Sequence, residues 1–187
     1  MGRDETDVDD VELAARAVLD RAVFGVLYDR HAPAIFRYCY RRLGERAAAE
    51  DATSGTFVRA MEALPTFRGG SFRSWLFAIA HSVVVNGTRR RTESTLEDTF
   101  DVVDPAATPE ETAIAADERR QIVALLASLP EDQRRVIELR LAGLSGNEIA
   151  ASIGKSVAAV KMLQHRAMQR FRRTLAVQTA PGVERHG

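Results

Sequence analysis

The 187-residue sequence holds one cysteine, Cys39, one tryptophan and, among its 26 basic residues, only two lysines, Lys155 and Lys161. A single thiol can form neither an internal disulfide nor a zinc site, so no covalent or metal staple is available. No stretch approaches the ~20 consecutive apolar residues that a membrane helix needs. A secretory signal begins basic and then turns apolar, whereas Met1 to Asp10 is acidic. The expectation is a cytoplasmic chain without membrane insertion. There is no Gly-rich phosphate loop, no Ser/Cys–His nucleophile signature and no metal motif. His31, His81, His165 and His186 lack metal-ligand spacing. Catalytic residues, metal ligands and cofactors are therefore expected to be absent, which disfavours an enzyme.

Apolar residues make up 45% of the chain, enough for a buried core. The formal net charge of zero is a sum of opposed blocks. Residues 1–22 carry −4, residues 23–91 carry +6, residues 92–128 carry −7 and residues 129–187 carry +5. Two basic blocks parted by an acidic one suggest two polyanion-binding modules and a connector that avoids DNA. The preference for arginine carries less weight, because a GC-rich genome would produce the same bias.

The patterning is helical throughout. Residues 11–22 read as a short helix, and a longer stretch runs to Leu43, interrupted near Pro33 and stopped by Gly44. Residues 45–64 form a further helix, on which Phe57, Met61 and Leu64 share one side. Pro65 and Gly69-Gly70 mark a loop. Phe72, Trp75, Leu76, Ile79 and Val83 then give an apolar stripe on a helix that ends at Arg89-Arg90-Arg91. Trp75 belongs to that stripe, so core packing explains it better than base stacking. Residues 92–118 contain nine acids, no Lys or Arg, and Pro105 and Pro109, the composition of a linker. Beyond it, Ile122, Leu125, Leu126 and Leu129 form another stripe. A helix follows Pro130 from about Glu131 to Ala142.

The sharpest local signal lies between Leu144 and Leu175. Ser145 followed by Glu148 fits a capping box at a helix start. Ile149, Ala150 and Ile153 would face inward, Gly154 can take the left-handed conformation that stops the helix, and Ser156 can cap the next one. On that second helix Val157, Val160, Leu163, Ala167 and Phe171 fall on one arc. Ala158, Lys161, Met162, His165, Gln169 and Arg172 fall on the other. A DNA-recognition helix needs this division into an apolar inner face and a small, polar or basic outer one. An ordinary amphipathic hairpin with a solvated face would show the same arcs.

Taken together, the two blocks resemble the extracytoplasmic-function (ECF) sigma factors, which retain sigma regions two and four. In front, Phe24, Leu27-Tyr28, Ala49-Glu50-Asp51, Thr56-Phe57-Val58-Arg59-Ala60, Phe67, Trp75-Leu76, Ile79-Ala80 and the closing arginines carry the likeness. Behind, it rests on Leu129-Pro130, Gln133-Arg134, Val136, Leu139, Gly143-Leu144-Ser145, Glu148-Ile149-Ala150, Gly154-Lys155-Ser156, Val160-Lys161 and His165-Arg166-Ala167. The resemblance implies an all-α protein of two small helical domains joined by a flexible acidic linker. Its parts would be an acidic N-terminal segment with a short helix (1–22), a region-two domain (23–91), the linker (92–118), a region-four helix-turn-helix domain (119–176) and a disordered tail (177–187).

The resemblance also implies partners and sites. Region two would dock on the clamp helices of the largest subunit of core RNA polymerase through Asp51, Ser54 and Arg59. It would read the minus-ten element with Arg68, Ser71, His81, Ser82, Asn86, Arg89 and Arg90. Region four would bind the flap of the second-largest subunit and read the minus-thirty-five element of promoter DNA with Ser156, Ala158, Lys161, Met162, His165 and Arg166. The linker would thread towards the basic channels that RNA later uses, and an anti-sigma factor is a possible further partner. Three places depart from the family pattern: Ser54-Gly55 replaces a Gln-Glu pair, His81-Ser82 an Arg-Asn pair, and Met162-Leu163-Gln164 the usual Ser-Arg-Leu. The competing reading is a helix-turn-helix repressor with a helical sensor domain, which would dimerise and bind palindromes unaided.

Overall fold

The computed structural model describes residues 9–92 and 121–179, and no strand occurs among them. Helix α1 (Asp10–Leu19) leads through a 3-10 turn (Arg21–Val23) into α2 (Phe24–Leu43). Helix α3 (Arg46–Ala63), a second 3-10 turn (Leu64–Thr66) and α4 (Phe72–Thr92) complete the front domain. The rear domain holds α5 (residues 121–127), α6 (Glu131–Leu141), α7 (Gly146–Ile153) and α8 (Val157–Thr179). The all-helical reading therefore stands. Residues 93–120, which contain all but the first residue of the acidic linker, lie outside the described residues, as do 1–8 and 180–187. Helix α8 reaches Thr179, so the first residues of the tail expected from 177 are helical.

Local chemistry sets the boundaries. Gly44 sits at φ 75°, and its N–H returns to the Tyr40 carbonyl at 2.9 Å, closing α2 as the sequence suggests. Pro33, expected to interrupt this helix, lies inside a continuous one. Its ring faces solvent, while Phe24, Leu27, Ile35, Tyr38 and Cys39 bury the opposite side. Burial of that stripe outweighs the ~3 kcal/mol of a mid-helix proline. Helix α1 is tied to α2 by Asp10, which bonds both Arg30 and His31, the latter at 2.8 Å.

In the front domain α2, α3 and α4 pack around Leu27, Ile35, Tyr38, Phe57, Leu76, Phe77 and Ala80. Phe67, Phe72 and Trp75 cluster with centroids 5.3–5.6 Å apart, which anchors the loop before α4. Trp75 is a packing residue, as its stripe indicates. The same core continues without a break into the rear domain through Val136, Leu139, Leu144, Ile149, Ala150 and Val160. The two domains are thus closed against each other, with α7 packed on α4 and α6 on α2. Leu126, Leu129 and Ala167 form a smaller cluster under α5.

Helix α3 runs unbroken through Gly55, whose missing side chain leaves room: an added Cβ would meet Val83 Cγ1 at 3.7 Å, an ordinary contact. Glycine costs a helix interior about 1 kcal/mol relative to alanine. Gly55→Ala should therefore raise stability by about 0.5–1 kcal/mol, read as a rise of the thermal unfolding midpoint by a few degrees.

Candidate nucleic-acid interface and partner surfaces

The rear helices carry the local devices that a helix-turn-helix requires. Ser145 Oγ accepts from the Glu148 N–H at 3.2 Å, and Glu148 Oε2 accepts from the Ser145 N–H at 2.8 Å, so the capping box is complete. Gly154 stops α7 at φ 66°, and Ser156 Oγ accepts from the Ala159 N–H at 3.2 Å to open α8. Val160 and Ala167 are buried, and Leu163 and Phe171 half-buried. Val157, the first residue of α8, is exposed rather than inward-facing, while Val160 is the first fully buried one. Ala158, Lys161, Met162, His165, Arg166, Gln169 and Arg172 are all exposed, as is Ser156. His165 shares a hydrogen bond with Gln169 at 2.9 Å, one turn along the same face.

Gln164 supplies the partner that its half-buried position demands. With its amide turned to satisfy both groups, its oxygen accepts from Arg140 Nε at 2.9 Å and from Nη2 at 3.2 Å. Arg140 also donates to the Leu144 carbonyl at 3.0 Å, so one guanidinium fixes α8 against the turn before α7. The departure at Met162-Leu163-Gln164 is thereby absorbed into the packing of the motif.

In front, the expected DNA-facing residues divide. Arg68 and Ser71 lie on the exposed loop that turns at Gly69 (φ 87°) and Gly70 (φ 83°), and Ser82 and Asn86 are exposed one turn apart on α4. Ser71 Oγ caps α4 by accepting from the Ser74 N–H at 3.1 Å, and donates to Glu148 Oε1 of the rear domain at 3.2 Å. His81 turns inward instead: its Nδ1 lies 3.0 Å from the Tyr38 hydroxyl. Burial, with Arg135 and Arg42 nearby, pushes its imidazole down to about 4, so the ring is neutral near pH 7. The side chains of Arg89 and Arg90 lie outside the described residues. Asp51, Ser54 and Arg59 are exposed on α3. Asp51 and Arg59, with Leu43, Val83 and Asn86, line an open hollow of about 290 Å³ between α2, α3 and α4.

A polar seam joins the domains, which periodicity cannot indicate. Arg42 of α2 reaches Glu131 with both terminal nitrogens, and its Nη1 lies 3.0 Å from Glu138 Oε2, close enough for attraction though not aligned as a hydrogen bond. Glu138 is fully buried and also pairs with Arg134 Nε at 2.7 Å. Arg73 of α4 donates to the carbonyls of Ala142 and Gly143 at the end of α6, where a guanidinium opposes the negative end of the helix dipole. No cluster of potential metal ligands occurs among the described residues.

Comparison with known proteins decides what this arrangement is. The family described as Sigma-70 region 2 matches residues 27–94, and that described as Sigma-70, region 4 matches residues 119–171. ECF RNA polymerase sigma factor ShbA of Streptomyces griseus is 33% identical over 184 residues, covering 88% of this chain and 96% of the relative. The chain belongs to the ECF RNA polymerase sigma factor family. ECF RNA polymerase sigma factor BldN of Streptomyces coelicolor is 36% identical over 172 residues, and the chain spans 65% of its length. The solved structure of CnrH in complex with the cytosolic domain of CnrY superposes with a TM-score of 0.72 at 28% identity, over 91% of this chain and 99% of that one. The front and rear domains are regions two and four. No described helix is long and apolar enough to cross a membrane.

Val160, fully buried, fixes α8 to the rest of the core. Val160→Asp would bury an unpaired carboxylate and should cost several kcal/mol, unfolding region four. Hydrogen exchange should then show α6–α8 unprotected while α2–α4 retain protection.

Proposed function

We propose that this sigma factor binds core RNA polymerase in the cytoplasm and directs it to promoters, where it takes part in recognition, melting and initiation. One observation carries the reading. A helix-turn-helix with intact caps presents Ser156, Ala158, Lys161, Met162, His165 and Arg166 on one exposed face, in a chain whose two matched regions are those of a sigma factor. Lys161 and Arg166 supply phosphate attraction, and the alanines at the helix start allow close approach to the groove. Arg68, Ser71, Ser82, Asn86 and the Arg89–Arg90 pair would serve the minus-ten element. His81 would join them only through a rearrangement that releases it from Tyr38.

The polymerase surface would be the exposed side of α3, with Asp51, Ser54 and Arg59 on the clamp helices and region four on the flap. The acidic stretch 92–118 would lie in a basic channel, where a negative strand is electrostatically welcome. A regulatory protein that holds the factor inactive is a further proposed partner, supported by the likeness to CnrH bound to CnrY. The role is that of an initiation subunit rather than an enzyme.

The test is run-off transcription on genomic fragments with core polymerase added to the purified chain. Promoter-specific transcripts that need both components support the reading. Tight binding to palindromic DNA by the chain alone, with no effect on transcription, would support a repressor instead. Lys161→Ala and Arg166→Ala should each weaken promoter binding by the holoenzyme and reduce the slope of log affinity against log salt by about 1. Normal binding and an unchanged slope in both would remove this face from the DNA interface.

Docking on polymerase is tested separately. Asp51→Arg or Arg59→Glu should lower affinity for core polymerase at least tenfold while leaving the far-ultraviolet circular dichroism unchanged, since both side chains are exposed. Parental affinity in both variants would place the clamp contact elsewhere.

A further inference from the structure

The outer face of α8 is not polar throughout: the side chains that point most directly away from the core begin with an apolar pair. Granted the reading of α8 as the recognition helix, we propose that this pair selects thymine. Met162 packs on the 5-methyl group of one base in the minus-thirty-five element, and Ala158 beside it lets the helix close on the groove.

Burial along α8 fixes its inward direction. Val160 and Ala167 are fully buried, and Leu163, Gln164 and Phe171 are half-buried. Each residue turns an α-helix by about 100°, so Ala158 and Met162 lie within about 25° of the opposite, outermost direction. His165 and Gln169, which bond each other at 2.9 Å, continue the same line. Lys161 and Arg166 are turned about 60–80° from it, one to either side. Met162 is 52% exposed and Ala158 is exposed, and neither joins the packed core. The outer face thus has an apolar centre near its start and a cation on each flank.

That division matches a major groove. Its floor presents donors and acceptors on every base pair but only one apolar group, the thymine methyl. A thioether laid on any other base edge would strip water from polar atoms and return no hydrogen bond. The flanking Lys161 and Arg166 are placed for the phosphate strands that bound the groove. Four residues of helix rise about 6 Å, so Ala158 and Met162 together span no more than two adjacent base pairs. Both follow closely on the Ser156 cap, and the start of a recognition helix is the part that reaches base edges. The serine usual in the family at position 162 could bond any base edge, so methionine makes a narrower choice.

Deoxyuridine differs from thymidine by that methyl alone, so it isolates the contact. Holoenzyme carrying the full chain is titrated onto a promoter that it transcribes, with each thymine of the minus-thirty-five element replaced in turn by deoxyuridine. Replacement at one position, or at two adjacent ones, should weaken binding by the parent about threefold to fivefold, the effect of exposing one methyl. Met162→Ser should bind the thymine and uracil promoters equally, whereas Met162→Leu should keep the preference. Lys161→Ala should weaken both promoters alike and leave their ratio at the parental value, as a phosphate contact would. A parent indifferent to every replacement overturns the proposal, and so does a Met162→Ser holoenzyme with the parental ratio. Either result, with promoter-specific transcripts still formed, leaves the sigma-factor reading standing. A chain that forms no promoter complex with core polymerase overturns both.

Discussion

The carboxylate of Glu138 is fully buried between the two domains, and the order of the seam depends on how it is neutralised. Burial pushes its acid up, while Arg42 and Arg134 pull against that from opposite sides. A buried pair of this kind contributes little net stability, because desolvation of both ions consumes most of the attraction. Its effect is on geometry. Removing one partner would strand the other, at a cost of about 3–5 kcal/mol, so α6 can lie on α2 only where Arg42 meets Glu131 and Glu138 together. That placement brings Val136 and Leu139 onto the front core and aligns α7 with α4. The apolar contacts supply the driving force, and the ion group selects the one arrangement in which they form.

The arrangement explains why a chain with so many basic residues can fold onto itself. Region four's acids are not spread over its surface. Glu131 and Glu138 face Arg42, Glu148 faces Ser71, and Asp132 holds Lys155 at 3.2 Å. What remains on the outer side of α8 is Lys161, Arg166, Arg170, Arg172 and Arg173, all exposed. Sorting of charge along the rear block thus does two things at once: Glu131, Glu138 and Glu148 face the front domain, and the basic residues of α8 stay exposed.

Most of the elements were legible in the sequence because their causes are local. The capping box at Ser145, the left-handed stops at Gly44 and Gly154 and the division of α8 into two arcs each depend on residues a few positions apart. The expectations that failed were those decided at long range. Pro33 reads as a break until the burial of α2 outweighs it, and Val157 reads as inward although the structure leaves it exposed at the start of α8. His81 reads as a groove-facing residue until Tyr38, distant in sequence, claims its ring. Arg42 and Glu131 stand 89 positions apart, and neither helical period nor charge pattern can pair them. The family likeness identified the two regions but carried no information about their closure, since that depends on which residues meet across the seam.

The two surfaces proposed to face DNA are consequently unequal in the closed molecule. The caps and apolar arc of α8 and the Arg140–Gln164 bond all lie on residues 140–171, within region four. The front loop and the start of α4 meet region four at two points, through Ser71 and Arg73, and both contacts use hydrogen-bond donors that the proposed minus-ten reading would offer to a DNA strand. A hydroxyl bonded to Glu148 and a guanidinium bonded to helix-end carbonyls sit beside acceptors that would repel phosphate. Release of the seam would free Ser71 and Arg73 of region two and would uncover the apolar residues of α6 and α7 that share the front core. On the proposed function, a molecule organised in this way holds its minus-ten loop against region four while the outer face of α8 stays exposed, a difference set by which side chains the seam occupies.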